Sequence, residues 1–543
     1  MTNNRELTSF QSPSIAPGAG FTPWPKAYLA VNSSLFFGII GYRTGETKGY
    51  SAVGVAKRYS RLLLASTAAL ALSGCTVGPN FVRPGSPAVM GYTAQPLPPE
   101  TASAAIAGGD AQRFLQDADV PGQWWTLFGS PALNDLVEQA LKANPDLDAA
   151  QAALRQAGEN YLASAGAVLP QVNGTASAGR QQSTSAKTSS DLFTSTVTVS
   201  YFVDAFGSLR RTLEASGALE ENSRFQLEAT YLTLISNVII TAIQEGSLNA
   251  QIAAIQDIIA AQSQQLDLLN QQFELGAVAR GDVLAQQSQL AQTQASLPPL
   301  QRQVDQSRNT LSILLGRYPS EGQIPNIELT DLVLPQELPL TLPSKLVEQR
   351  PDVRASEALL HQASAQIGVA TANFFPQINL TGSFTDAAAT FPEFATLETR
   401  GFNLAAGLAT PIFRGGTLRA QRRAAVDAYD RAGAQYRSTV LNAFANVANV
   451  LAALQHDAET LQVQLYAEQT AEQSLEITTE RFQAGAIAYL SLLDAQRTYQ
   501  QARILLVVAQ ANRYSDTVAL FQALGGGWWN RQDVAEDNNR PAP

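Results

Sequence analysis

The tetrapeptide NPDL at residues 144–147 recurs as RPDV at residues 350–353, and a second proline motif, LPQV at 169–172, recurs as FPQI at 375–378. Both repeats are separated by 206 residues, so the segment between the two proline motifs has the same length in each copy. This period is much longer than a solenoid repeat of about 20–50 residues. The spacing therefore predicts a domain that occurs twice in the chain.

Two further motifs extend the repeat at a slightly larger spacing. GSLR at 207–210 recurs as GTLR at 416–419, and FELGA at 273–277 recurs as FQAGA at 482–486, each 209 residues later. The second copy therefore has three extra residues between its second proline motif and GTLR. Elsewhere the copies keep the same length, which predicts the same order of structural elements in each.

The composition favours long, closely packed helices and excludes several classes of protein. Of the 543 residues only 15% are charged, with a net charge of −10, whereas about a quarter is typical. An acidic chain without a basic stretch is not expected to bind nucleic acid. His361 and His456 lie far from the single cysteine, so no metal site or cofactor is predicted. No phosphate-binding loop or nucleophile–histidine pair indicates an enzyme.

An apolar run explains the single cysteine. Three basic residues between 57 and 61 precede the 11-residue run 62–72, which is too short to cross a bilayer as a helix. Residues 72–75 (LSGC) look like a bacterial lipobox, which implies cleavage before Cys75 and lipidation of its thiol. The alternative is a buried structural cysteine after a chance apolar run. Thr76 is not the acid of an inner-membrane retention signal, so delivery to the outer membrane is implied.

The predicted organisation has six parts. They are an N-terminal extension without an assigned role (1–56), a lipoprotein signal (57–74), a lipidated extended segment (75–129), a first structural repeat (130–330), a second structural repeat (331–529) and a flexible tail (530–543).

Two long stretches without proline, 171–297 and 412–540, dominate both repeats. Apolar residues recur in them every seven positions, which predicts a coiled coil. The seam consists of Ile252, Ile255, Ile259, Leu266, Leu269 and Phe273 in the first copy and of Leu454, Leu461, Leu475 and Phe482 in the second, where Glu468 interrupts it. A glycine motif ends each run and a second amphipathic helix follows, so we expect two antiparallel helical hairpins. An unbroken first helix would be roughly 100 Å long.

Alternating apolar and polar residues predict four strands. In the first copy, residues 196–203 are expected to pair with 172–178 across the polar connection 180–191. In the second copy, Ile378, Leu380, Gly382 and Phe384 are expected to pair with Phe402, Leu404, Ala406 and Leu408. Strands of about ten residues fit a membrane barrel, but four cannot close one, and a bilayer does not tolerate open edges. Several chains must then share one barrel; two soluble hairpins packed on the helices are the alternative.

Residues 342–353 (LPSKLVEQRPDV), with IGVA at 367–370 and FPQI at 375–378, resemble the TolC-like outer membrane efflux factors. The resemblance covers about Gly78 to Gly527 and is to the lipoprotein, NodT-type branch of resistance-nodulation-division efflux systems. It implies a mainly α-helical homotrimer with a membrane β-barrel part. Four strands from each chain would form one barrel of twelve strands, continued by an α-helical tunnel through the periplasm. The implied partners are a periplasmic adaptor protein, an inner-membrane resistance-nodulation-division pump and outer membrane lipid.

The family places its periplasmic gate just after the second glycine turn. YLSLLDAQ at 489–496 resembles that segment, so Leu490 and Asp494 are the gate candidates. Three symmetry-related leucines would form a dry constriction, and three carboxylates would form an anionic ring that favours cations. Ser491 stands where some members carry a second acid, so a single acidic ring is expected. The alternative is that Asp494 only solvates a helix face.

The hairpin tips are the candidates for contact with the adaptor. The residues are Gly276, Arg280, Asp282, Gly485 and Tyr489, and a solvated turn is the alternative explanation for Arg280 and Asp282. The leading hypothesis is a passive exit duct, anchored by lipid in the bacterial cell outer membrane and extending into the periplasm. The rival hypothesis is a lipid-anchored, non-conducting periplasmic scaffold protein. The exported molecule is not identified by the sequence.

Overall fold

The computed structural model describes residues 76–183, 188–321, 324–394 and 400–531. The predicted extension (1–56), the signal (57–74) and Cys75 lie outside the described residues. The α-helices of the described residues are α1 (Pro131–Ala143), α2 (Pro145–Gly166), α3 (Ser208–Glu274), α4 (Arg280–Ala295), α5 (Leu297–Leu314), α6 (Pro343–Gln349), α7 (Pro351–Ala372), α8 (Thr417–Gln483) and α9 (Tyr489–Ala523). Their strands are β1 (Arg113–Gln116), β2 (Gln171–Ser183), β3 (Thr188–Val203), β4 (Glu337–Leu340), β5 (Gln377–Ala388) and β6 (Arg400–Ala409).

Corresponding helices of the two predicted repeats have equal lengths. Helices α2 and α7 each contain 22 residues, and α3 and α8 each contain 67. A proline occupies the first turn of both α2 and α7, where its missing N–H removes no helical hydrogen bond. Gly207 and Gly416 precede the long helices with φ of 82° and 85°, the left-handed region that favours glycine.

The return arm of the first hairpin differs from the prediction of a single helix. It is divided at Ser296 into α4 and α5, whereas the return arm of the second hairpin is one helix of 35 residues, α9. Pro298 lies in the first turn of α5. A proline inside a helix lacks the N–H donor and clashes with the preceding turn, which accounts for the break.

The four long strands form one antiparallel sheet in the order β2-β3-β5-β6. The predicted pairing of the second hairpin is confirmed, and its register places Ile378 opposite Leu408 and Phe384 opposite Phe402. The first hairpin is longer than predicted. Strand β2 continues to Ser183 and β3 begins at Thr188, so most of the expected polar connection 180–191 is strand. A separate parallel pair, β1 with β4, joins the N-terminal segment to the start of the second repeat.

The main core lies where the N-terminal segment, α1 and the end of α9 meet. Trp124 is fully buried and stacks on Phe521 with 5.0 Å between ring centroids. Arg513 is also fully buried, and its guanidinium donates to the carbonyl of Asp110 at 3.0 Å and to Gln112 Oε1 at 3.0 Å. Residues 75–129, predicted as merely extended, therefore contribute β1 and a 3₁₀ turn at Trp124–Phe128 to this core.

The predicted seam is buried unevenly along the long helices. Ile255 and Leu269 of α3 are buried, as are Leu454 and Leu461 of α8, whereas Phe273 at the end of α3 is exposed. Among the described residues, one helix, α3, contains a window that is long and apolar enough to cross a membrane. Nearly half of that window is buried inside the protein, as expected for a core helix.

We expect Trp124→Ala to lower the free energy of unfolding by about 3–5 kcal/mol, because it leaves a cavity in a close-packed core. Denaturant unfolding of the detergent-solubilised protein measures the change. Leu127→Ala is the matched control, since this side chain lies in the same turn and is 39% exposed, and its loss should stay below about 1 kcal/mol. Equal losses in the two variants would contradict the packing described above.

Candidate gate at the hairpin tips

Each helical hairpin turns through a short tip, the first at residues 275–279 and the second at 484–488. Gly276 and Gly485 have φ of 75° and 71°. Their N–H groups donate to Phe273 O and Phe482 O, each at 2.9 Å, which satisfies carbonyls at the helix ends. An added Cβ would meet nothing within 4 Å at either position. Glycine is therefore required by the backbone conformation and not by lack of space.

The helices that leave the two tips begin differently. In the first hairpin, Asp282 Oδ2 accepts a hydrogen bond from the N–H of Ala279 at 3.3 Å and so helps to cap α4. In the second hairpin the corresponding position is Ser491, which is exposed. The Asp282 carboxylate, predicted as an adaptor contact, thus also has a structural task, whereas the side chain of Arg280 is exposed.

A small apolar cluster holds the two tips together. Its buried members are Leu269, Val283, Tyr489, Leu492 and Leu493, with Phe482 packed against them. Because these residues come from α3, α4 and α9, the first turn of α9 cannot move without separating the two hairpins.

Tyr489 is the polar centre of this cluster. Its hydroxyl donates to Gln286 Oε1, and Gln286 Nε2 donates to the carbonyl of Gln262 at 2.8 Å. Burial, aided by the charge of Asp282, raises the pKa of Tyr489. Only 4% of Tyr489 is exposed, so its side chain joins the two hairpins in this conformation, and the adaptor contact predicted for this residue stays a prediction.

Two arginines of α9 make further polar contacts with the first hairpin. These contacts and the Tyr489–Gln286 hydrogen bond are here called the polar seam. Arg497 Nε donates to Gln289 Oε1 of α4 at 2.6 Å. Arg503 Nη2 donates to Asp257 Oδ2 of α3 at 3.0 Å. Helix α9 is thus tied to the first hairpin at three successive levels, through Tyr489, Arg497 and Arg503. Glu468, which interrupts the predicted seam, lies near Arg503, and its pKa is raised by burial and by Glu472.

The gate candidates lie on the opposite, exposed side of α9. Leu490 is 71% exposed, and Asp494 is exposed one turn later, where the (i, i+4) spacing places it on the same helix face. The structure therefore brings the two predicted residues together on an uncovered surface. Their buried neighbours Leu492 and Leu493 fix the orientation of that face.

Gln286 and Gln289 were missed by the sequence interpretation. Both are buried on α4, and glutamine at an (i, i+3) spacing inside a packed stripe indicates a polar partner elsewhere. The partners are Tyr489 and Arg497, more than 200 residues away, so local pattern could not identify them. Among the described residues no group of three or more histidine, cysteine or acidic side chains is arranged to hold a metal ion.

A chain of paired long helical hairpins with a small antiparallel sheet at their other end is the architecture of outer membrane efflux channels. The sequence profile of the outer membrane efflux protein family matches residues 136–317 and 342–526. The chain belongs to this family, as the resemblance predicted.

Individual relatives are similar over most of their length. The chain is 31% identical over 448 residues to the pyoverdine export outer membrane protein OpmQ of Pseudomonas putida, covering 80% of this chain and 94% of that protein. It is 30% identical over 486 residues to the cation efflux system protein CusC of Escherichia coli, covering 86% and 98%. The solved structure of the outer-membrane channel OprN superposes with a TM-score of 0.75 at 28% identity, covering 84% of this chain and all of that one.

Tyr489→Phe should loosen the contact between the hairpins, because it removes the hydroxyl donor and leaves Gln286 Oε1 unsatisfied, at a cost of about 1–3 kcal/mol. Hydrogen exchange of the first turns of α4 and α9 should become faster. Tyr466→Phe is the control, since the Tyr466 side chain is exposed. If exchange at the tips were the same in both variants, the Tyr489–Gln286 bond would not be what holds α9 in place.

Proposed function

We propose that this protein is the exit duct of a tripartite efflux pump, through which small molecules leave passively across the periplasm and the outer membrane. The observation that carries the proposal is the family match, which extends over both repeats. The two 67-residue helices support it, because each would span roughly 100 Å. A globular core does not require helices of that length, whereas a tunnel across the periplasm does.

The proposed duct is a homotrimer with one shared barrel. In the described residues β2 and β6 each pair on one side only, and unpaired strand edges are not tolerated in a bilayer. Apolar side chains such as Val197, Leu404 and Leu408 are exposed on this sheet. Pairing β6 of one chain with β2 of the next around three chains would satisfy both edges and cover those side chains with lipid.

Lipidation of Cys75 would anchor the duct beside this barrel. The N–H of Val77 donates to Phe206 O at 3.2 Å, three residues after the end of β3. An added Cβ at Gly207 would meet the side chain of Thr76 at 2.8 Å. Because the residue that follows Cys75 lies at the junction of β3 and α3, an acyl chain on that cysteine would start at the periplasmic end of the sheet.

The proposed gate consists of Leu490 and Asp494 from three chains. Leu490 and Asp494 would face the tunnel, the leucines as a dry constriction and the carboxylates as an anionic ring. The tips at Gly276, Arg280 and Gly485 would contact the periplasmic adaptor, and an inner-membrane resistance-nodulation-division pump would supply the energy. Relatives are named for pyoverdine export and for cation efflux. We leave the cargo of this duct open, because the pump would select it.

Conductance in planar bilayers tests the duct and its gate. Leu490→Ala should raise the fraction of time that the channel is open, since a smaller side chain cannot close a dry constriction. Asp494→Asn should move the cation-to-anion permeability ratio towards one, because it removes the charge of the ring. Leu284→Ala is the control, an exposed leucine at the first tip, and should leave both properties unchanged. A trimer that never conducts, in any of these variants, would favour the scaffold hypothesis.

The lipid anchor has a separate test. Cys75→Ser should abolish incorporation of labelled palmitate, and Thr76→Asp should retain the lipidated protein in the inner membrane, because an acid after the cysteine resembles a retention signal. Mass spectrometry of the mature N-terminus and fractionation of the two membranes measure these outcomes. Unchanged labelling in Cys75→Ser would show that Cys75 is not the lipidated residue.

A further inference from the structure

The C-terminal segment of the chain covers one face of α3. Trp528 packs edge-on against Phe225 with 5.7 Å between ring centroids. Arg531 forms an ion pair with Glu228 at 2.9 Å and lies over the ring of Tyr231. Asn530 and Arg531, predicted as the start of a flexible tail, therefore belong to the folded body.

The covered face is a stripe of α3 that consists of Glu221, Phe225, Glu228 and Leu232, here called the α3 stripe. Helix α7 covers the end of the stripe near Glu221, because Arg354 pairs with Glu221 at 3.2 Å and lies over the ring of Phe225. At the other end of the stripe, a Cβ added at Gly526 would overlap the side chain of Leu232, so the backbone of Gly526 lies close to that side chain. As a result, Phe225 and Glu228 are each only 5% exposed.

The corresponding stripe of α8, 209 residues later, is uncovered. It consists of Asp430, Ala434, Arg437 and Leu441, here called the α8 stripe, and all four residues are exposed, with Leu441 at 71%. A cavity of about 650 Å³ opens beside it, lined mainly by apolar groups that include Leu360, Tyr436 and Val440. Within the described residues Arg437 has no ion-pair partner.

The repeat identifies the segment that would cover the α8 stripe. The segment covering the α3 stripe follows α9, so its counterpart follows α5 and consists of residues 317–321 (RYPSE). Both helix ends are held in the same way. Asn144 Nδ2 donates to Leu314 O at 3.0 Å, and Arg350, 206 residues later, donates to Ala523 O at 2.9 Å. The two segments therefore start from equivalent positions.

Residues 317–321 do not cover α8 of their own chain. They are exposed throughout, with Tyr318 at 72%, and Arg317 contacts Gln139 of α1 at 2.8 Å. An exposed aromatic residue beside a proline, carried on a segment whose counterpart (residues 526–530) packs against α3, indicates a surface that another molecule covers. The repeat identifies that molecule as a second copy of this chain, whose α8 stripe would pack against residues 317–321.

One charge pair on the two surfaces is complementary, with the reverse polarity of the covered pair. Glu228 of the α3 stripe pairs with Arg531, whereas the α8 stripe has Arg437 at the position of Glu228. Glu321 lies one residue before the position that corresponds to Arg531, so an acid faces a base in both cases. At the second covered pair the counterparts are Asp148 of α2 for Arg354 and Asp430 of the α8 stripe for Glu221, both acidic, so the complementarity of charge rests on Glu321 and Arg437.

We infer that residues 317–321 of one chain seat on the α8 stripe of a neighbouring chain, with Tyr318 in the cavity beside Tyr436 and with Glu321 paired to Arg437. This inference rests on the trimer of the proposed function and adds the residues through which neighbouring chains interlock. The same structural unit then closes the duct six times, once within each of the three chains through Trp528 and Arg531 and once at each of the three interfaces through Tyr318 and Glu321.

Cross-linking distinguishes the two kinds of contact. The double variant Glu321→Cys/Arg437→Cys, treated in outer membranes with a short thiol-to-thiol cross-linker, should give covalent dimers and trimers, whereas each single variant should not. Glu228→Cys/Arg531→Cys is the matched control, because this counterpart pair lies within one chain and should cross-link only as a monomer. The parent protein, whose single cysteine is Cys75, gives the background.

Charge reversal provides a second measurement that does not depend on cysteine. Glu321→Arg and Arg437→Glu should each weaken the trimer in native gels, and the double reversal should restore it. Trimers that form normally, but without cross-links between chains, would overturn this inference while leaving the proposed duct intact. Cross-links confined to monomers would mean that the same chain fills the cavity, which also overturns it. Complete absence of a trimer would overturn both proposals.

Discussion

Two rows of unpaired backbone groups constrain the rest of this molecule. In the described residues the sheet ends at β2 on one side and at β6 on the other, and each open edge exposes N–H and C=O groups that require partners. The sheet also exposes apolar side chains. In water such a sheet would aggregate, and in a bilayer its edges would be prohibitively costly. In the proposed duct a ring of identical chains would solve both problems, because the last strand of one chain would pair with the first strand of the next.

The two repeats share a scaffold, and their differences separate its tasks. Equal lengths of α3 and α8 place both tips at the same distance from the sheet. The first return arm is broken at Ser296 and supplies buried glutamines, whereas the second is continuous and supplies Tyr489 and Arg497, which bond to those glutamines. One repeat thus acts as a frame, and the other carries the exposed pair Leu490 and Asp494. A perfect duplication could not provide both halves of this seam.

Much of the fold could be predicted from the sequence because its determinants are local. Alternation of apolar residues predicted which residues of β5 and β6 share a face, since a slip of one residue would invert every side chain. Proline and glycine motifs located the helix ends, because these residues set the backbone conformation locally. The extent of β2 and β3 could not be predicted, because polar residues continue the strands through pairing alone. Burial of Tyr489 was missed because its partner Gln286 is 203 residues away, and proximity to a turn suggested exposure instead.

The strength of the polar seam fits the task of the proposed gate. The neutral hydrogen bond from Tyr489 to Gln286 contributes about 0.5–1.5 kcal/mol in net terms, and the bond from the charged Arg497 to Gln289 contributes about 1.5–3 kcal/mol. The ion pair of Arg503 with the exposed Asp257 contributes at most about 1 kcal/mol. In the proposed duct, breaking these polar contacts would therefore cost each chain a few kcal/mol, and exposing the apolar cluster around Leu492 and Leu493 would add to that cost. A binding partner would have to supply this free energy through differential affinity for the open state. A seam of apolar residues alone would be stronger and less specific, because it would not fix one register of α9. The buried hydroxyl of Tyr489 fixes that register, and the exposed face that it orients is the one that carries Leu490 and Asp494.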